Sequence, residues 1–276
     1  MVWLRTLALL VLIGCGAGRP SILETEAPPT LPTLRVVTDQ SQEITSREDY
    51  LVGSYTLEDE TGAPLLRGGL DIRGRGNTSW EMPKKPYRVR LTKGAALLGM
   101  PTDRHWVLLA NYSDKTLIRN AVAFEFSRRL GSEYAVRSQF VELHLNGAYQ
   151  GIYQLAEHIR VAPERVNIPE IDEGESDPKR LTGGYLIEVD ARYGEDFCFA
   201  APHSGMVFCP KSPEGLNQPG QEAALAYITE YMEQFERVLF SEKFADTDSG
   251  YGAYLDIDSA IRYYLLQELF KKDRKS

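Results

Sequence analysis

The sequence predicts an α+β protein. Three observations predict it. Strand-like alternating segments crowd the stretch from Leu34 to Leu155, Asn146-Gly147 sits between two of them, and long helical repeats come after Glu222. Strands first and helices afterwards is the α+β order. With 276 residues the chain can bury a core in one or two domains.

The N-terminus opens with one positive charge, Arg5, and an apolar run from Leu7 to Ile13. That run is too short to span a bilayer, so residues 1–14 are expected to be an export signal. Leu12-Ile13-Gly14-Cys15 is similar to a bacterial lipobox. Its expected product carries lipid on Cys15 and sits in the cell envelope, membrane-anchored outside the cytoplasm. The alternative is an ordinary signal with an incidental cysteine. Gly16 to Pro32 lacks periodicity and is rich in proline, so residues 15–33 read as a flexible tether to a domain over 34–276.

Leu34 to Val37, Tyr50 to Leu57 and Leu65 to Arg73 alternate as strands, parted by turn signals such as Asp59-Glu60-Thr61-Gly62. The segment LDIRGRGNTSWEMPKKPYRVRL, Leu70 to Leu91, is the centre of the chain. Two strands meet there through a glycine-rich basic loop. Glycine lets backbone N–H groups approach an anion closely, which suits phosphate. Arg73, Arg75, Lys84 and Lys85 supply the charge. A solvated hairpin loop is the plainer alternative.

Trp106 to Ala110 reads as a buried strand. Ser113 or Asp114 is expected to cap a helix ending before Gly131. Leu117, Ile118, Ala121, Val122, Phe124 and Phe126 give that helix an apolar face, and Glu125 falls within it. A carboxylate there needs a partner: Arg128 or Arg129 on the same helix, or a lysine from the sheet. Phe140 to Leu145 and Gln150 to Leu155 form a hairpin about Asn146-Gly147. Glu157 and His158 come next. Arg160 to Arg180 is polar, a short helix plus loop, and Tyr185 to Asp190 is a further strand.

Cys198 and Cys209 flank a Pro-His-Ser-Gly turn. In an exported protein they are a disulfide candidate; two buried thiols are the alternative. The four histidines are scattered and fit no zinc spacing. Glu222 to Phe244 repeats at helical spacing, and Asp256 or Asp258 caps a last helix with Ile261, Leu265 and Leu269 inward. The 31 basic and 39 acidic residues leave a formal charge of −8, which argues against general nucleic-acid binding but not against a local basic site.

Five blocks, RGRGNTSW, KKPYRVRL, WVLLANYSDKTLIRNAVAFEFSRRLG, FVELHLNGAYQGIYQLAEHI and GGYLIEVD, occur in that order. Together they resemble the spore coat protein H (CotH) kinase family. The resemblance implies an atypical protein-kinase-like fold, a mainly antiparallel sheet N-lobe plus a helical C-lobe. It implies ATP and a divalent metal such as Mg²⁺ as cofactors, and phosphorylation of a protein substrate. Arg73, Arg75 and Asn77 fall in the loop over the nucleotide. Lys85 is placed as the phosphate-contacting lysine, Glu125 as its ion-pair glutamate, and Glu157 at the hinge beside adenine.

The resemblance stops at about Lys272, where the family continues with catalytic and metal-binding carboxylates. Asp273 lies near the expected catalytic position without its surrounding pattern, and Glu188 and Asp190 read as ordinary strand-end acids. The C-lobe is therefore expected to be incomplete, the metal site absent, phosphoryl transfer impaired and the last helix incompletely covered. A non-catalytic surface lipoprotein or coat protein is the other reading. A carbohydrate enzyme is disfavoured, because Trp80 and Trp106 have no accompanying carboxylate pair.

Overall fold

The computed structural model describes residues 30–189 and 197–270. Cys15, Asp190 and Asp273 lie outside these residues.

The first half of the chain forms β1 (Thr33–Thr38), β2 (Leu51–Glu58), β3 (Pro64–Gly74), a single turn α1 (Thr78–Glu81), β4 (Tyr87–Ala95), β5 (Asp103–Leu109), α2 (Arg119–Arg129), β6 (Ser138–Leu145) and β7 (Ala148–Glu157). These seven strands close into a barrel in the order β1-β2-β3-β4-β5-β7-β6. Closure comes from β1, which pairs antiparallel with β2 and parallel with β6. A closed sheet leaves no free edge.

The structure contradicts the expected sheet N-lobe with a helical C-lobe. After the barrel the chain forms another turn α3 (Pro178–Leu181), a three-stranded sheet of β8 (Leu186–Val189), β9 (Phe199–Ala200) and β10 (Val207–Ser212), and two long helices. These are α4 (Glu222–Leu239) and α5 (Ile257–Phe270). The dominant unit is a closed barrel and not an open N-lobe sheet. Strand alternation is the same in both, since a period of two does not say whether the first strand finds a second partner.

Alternation fills the barrel. Leu70, Ile72, Val89, Leu91, Leu108 and Leu155 point inward with Trp106, which is fully buried. Truncating one such leucine to alanine costs about 2–5 kcal/mol. The residues between them, Asp71, Arg73, Arg88 and Arg90, therefore face outward from neighbouring strands.

The helix expected from Ser113 or Asp114 begins later, at Arg119, and Asp114 accepts from the Arg119 N–H at its start at 2.8 Å. Asp114 accepts from the Thr116 N–H at 3.0 Å, closing a local turn, and Leu117 has φ 62°. That left-handed residue interrupts a helix. α5 does start with its predicted cap, Asp256 accepting from Ser259 N–H at 3.1 Å. α4 ends at Leu239, short of Phe244. Cys198 and Cys209 are joined by a disulfide beside β9 and β10. Ile171, Leu181, Leu216, Ala224 and Ile228 form a second, smaller core under α4. No helix among the described residues is long and apolar enough to cross a membrane.

Candidate anion site

The glycine–arginine loop is built by close approach. A Cβ on Gly74 would stand 2.5 Å from the Trp80 ring, so Trp80 can lie across the end of β3 only if that position is glycine. Gly76 turns the chain at φ 81°. Arg47, from the loop before β2, fastens the turn by donating to Gly76 O at 3.1 Å and Asn77 Oδ1 at 2.9 Å.

The result is a cavity of about 210 Å³ lined by Arg47, Arg73, Arg75, Gly76, Asn77, Arg88 and His158. It lies on the outer wall of the barrel. β3 and β4 place Arg73 directly opposite Arg88, and His158 enters from the end of β7, its backbone N–H donating to His105 O at 3.4 Å. Arg73 lies over the Tyr50 ring at 5.0 Å, and Arg90 lies over the same ring at 4.8 Å. Arg90 is also paired with Asp71 at 2.8 Å. The lining arginines are not so matched: among the described residues none of them forms an ion pair with a carboxylate. The Nε groups of Arg73 and Arg88 are buried without a hydrogen-bond partner among the described residues.

Electrostatics follow from that crowding. Burial draws the Arg75 pKa down, Arg88 and Arg73 add to the effect, and Glu188 opposes it. Burial also draws Arg88 down, with Arg73 and Arg90 on the same side and Tyr50 and Glu214 against. Guanidinium nevertheless stays charged in a protein. His158 is pushed to about 3 by burial first and then by Arg88 and Arg75, so it is a neutral imidazole at physiological pH. Glu188 and Glu214 belong to β8 and the loop after β10, so acids from the chain beyond the barrel act on this positive wall.

Of the residues singled out in the sequence, Arg73, Arg75 and Asn77 come together here. Lys85, Glu125 and Glu157 do not. Lys85 donates to Trp80 O at 2.7 Å and lies over its ring, holding the α1 turn. Its neighbour Lys84 lies over Tyr153 and donates to Ile152 O. Glu125 makes the local pair with Arg128 and, at 2.7 Å, Arg129. Glu157 is fully buried and accepts from Arg137 Nε at 2.6 Å, Arg165 at 2.7 Å and the Tyr134 hydroxyl at 3.2 Å. Every one of these donors serves to satisfy a buried carboxylate. Arg47, Arg88 and His158 join the site, although no local sequence signal marks them for it. Arg88 was legible only through the strand register that sets it opposite Arg73.

Guanidiniums without a carboxylate partner among the described residues fit the phosphate chain of a nucleotide. A divalent metal fits less well: no group of three or more His, Cys, Asp or Glu able to hold one occurs among the described residues.

No curated protein matches the chain. The sequence model of the family described as CotH kinase protein matches residues 72–272. That span begins on β3 within the barrel, covers the Gly74–Asn77 loop and Arg88, and runs past α5. The chain belongs to the CotH kinase family, a family of kinase-like proteins.

Proposed function

We propose that the protein binds ATP through the arginine cavity and takes part in phosphorylation of protein substrates at the cell envelope. The observation that carries this is the set of four guanidiniums converging on one cavity without carboxylate ion-pair partners among the described residues. Phosphoryl transfer depends on positioning and charge neutralisation, and this wall supplies the second. Export and lipid anchoring on Cys15 are part of the reading and rest on the N-terminal sequence. ATP binding by calorimetry tests it: Arg75→Ala should lose at least about tenfold in affinity, whereas unchanged binding would remove the cavity from the site. Incorporation of labelled palmitate, abolished by Cys15→Ser, tests the anchor.

A second reading, a surface binding protein that holds nucleotide without transferring phosphate, is favoured by one observation. Lys85 and Glu125 are each engaged locally and not with one another. Transfer of label from γ-labelled ATP to a casein-type acceptor separates the two.

A further inference from the structure

We infer that the cavity recognises a chain of two or more phosphates by its guanidiniums alone, without a bridging divalent metal. This deepens the nucleotide reading of the same cavity and rests on it.

The ligand class follows from charge. Four arginines line the cavity. One phosphate monoester carries about −1.5 to −2 at neutral pH, leaving roughly half of that positive charge unmatched. Two or three linked phosphates match it. His158 adds a neutral donor or acceptor and not a fifth charge. Asn77 is held by Arg47, so its amide remains directed toward the same turn. The cavity, at about 210 Å³, has room for several waters by the usual requirement of ~10–15 Å³ each, and hence for a short phosphate chain that displaces them.

Metal independence follows from the same wall. A divalent cation entering between four guanidiniums meets like charge on several sides. The carboxylates that oppose them, Glu188 and Glu214, act on Arg75 and Arg88 through space and stand outside the lining. Guanidinium pairs bidentately with phosphate oxygens, and the Nε groups of Arg73 and Arg88 are donors lacking an acceptor among the described residues.

The test is calorimetry of the protein with tripolyphosphate, ATP and adenosine, each in EDTA and again in magnesium. Tripolyphosphate and ATP should bind in EDTA within about tenfold of each other, and adenosine should not bind. Arg75→Met should weaken both at least tenfold, yet melt no lower than wild type when free of ligand, because an unmatched charge has been removed. The exposed Arg67→Ala should change nothing. Binding of ATP only with magnesium, or of adenosine as well as ATP with no tripolyphosphate binding, overturns the inference and leaves the nucleotide reading standing. If none of the three binds, both fall. If Arg75→Met melts lower, Arg88→Met carries the same test. If both melt lower, these arginines hold the fold and the inference is overturned.

Discussion

Arg73 and Arg88 face each other directly across the β3–β4 ladder. Two rungs along, Asp71 faces Arg90 and the pair is matched at 2.8 Å. Like charges directly opposed across strands are destabilising, and here both Nε groups are buried without a hydrogen-bond partner among the described residues. A fold that compensates one outward-facing rung and leaves the next uncompensated gives up stability at the wall proposed to hold the anion.

Removing one member of that rung should therefore stabilise the ligand-free protein. Arg88→Met is expected to gain about 0.5–1 kcal/mol, seen as a melting temperature higher by about 1–4 °C for a domain of this size. The rise in melting temperature expected of wild type with tripolyphosphate should be lost in the same variant. A lower melting temperature in the absence of ligand would mean that Arg88 is structural.

The buried carboxylate at the end of β7 predicts the opposite sign. Glu157 and Arg165 have fully buried side chains, and Arg165 also lies over the Trp106 ring at 5.2 Å. Truncating the carboxylate leaves Arg165 with only Asp103, at 3.7 Å, and takes Arg137's partner at 2.6 Å, so Glu157→Ala should cost about 3–5 kcal/mol. Replacing both, as Glu157→Leu with Arg165→Leu, should recover part of it, since Arg137 and Tyr134 still lose the carboxylate. Chemical denaturation of the single and double variants measures the difference.

Sequence and structure meet unevenly, and the reason is range. The Gly74–Asn77 loop was legible because glycine, arginine and strand alternation are local signals. The Glu125 pair with Arg128 and Arg129 was legible as spacing on a helix. Barrel closure was not, because the parallel pairing of Val36 with Leu145 joins strands far apart in the chain. Arg47 reaches Asn77 across 30 residues of chain, and Arg88 enters only through register. Lys85 shows the converse: a lysine at the right sequence position is turned onto Trp80 by the short α1 turn.

Glu125 accordingly predicts a null result. Its carboxylate is satisfied on its own helix, so Glu125→Gln should leave tripolyphosphate and ATP affinity unchanged within error. A loss of affinity in calorimetry would place it in the binding machinery.

The cavity's imidazole predicts an acid-side weakness. Unfolded, a histidine titrates near 6.5; folded, His158 sits at about 3 because burial, Arg88 and Arg75 disfavour its charge, with His105 and Arg160 adding. Between those values the unfolded chain binds the extra proton, so stability is full above about 6.5 and falls as pH drops toward 3. His105, also lowered by burial, acts in the same direction. Between about pH 6 and 5, above the main carboxylate range, His158→Asn should flatten the slope of stability against pH by up to about 1.4 kcal/mol per unit. Denaturation at stepped pH reads it. An unchanged slope would mean that the imidazole titrates normally.

Glu188 predicts a gain of affinity. It lies on β8 opposite Cys209 of the disulfide-bearing strand β10 and pairs with Lys211 at 3.3 Å. It is also the acid that offsets the crowded positive charge at Arg75. An anion arriving at the cavity is repelled by it. Glu188→Gln removes that repulsion without shortening the side chain, and should tighten tripolyphosphate binding about two- to fivefold at low salt, the effect of one partly screened charge. The gain should shrink as ionic strength rises toward ~1 M, where the screening length falls to about 3 Å. Calorimetry at two salt concentrations measures both. Weaker binding in Glu188→Gln would show that the carboxylate supports the cavity through Lys211 and does not oppose its ligand.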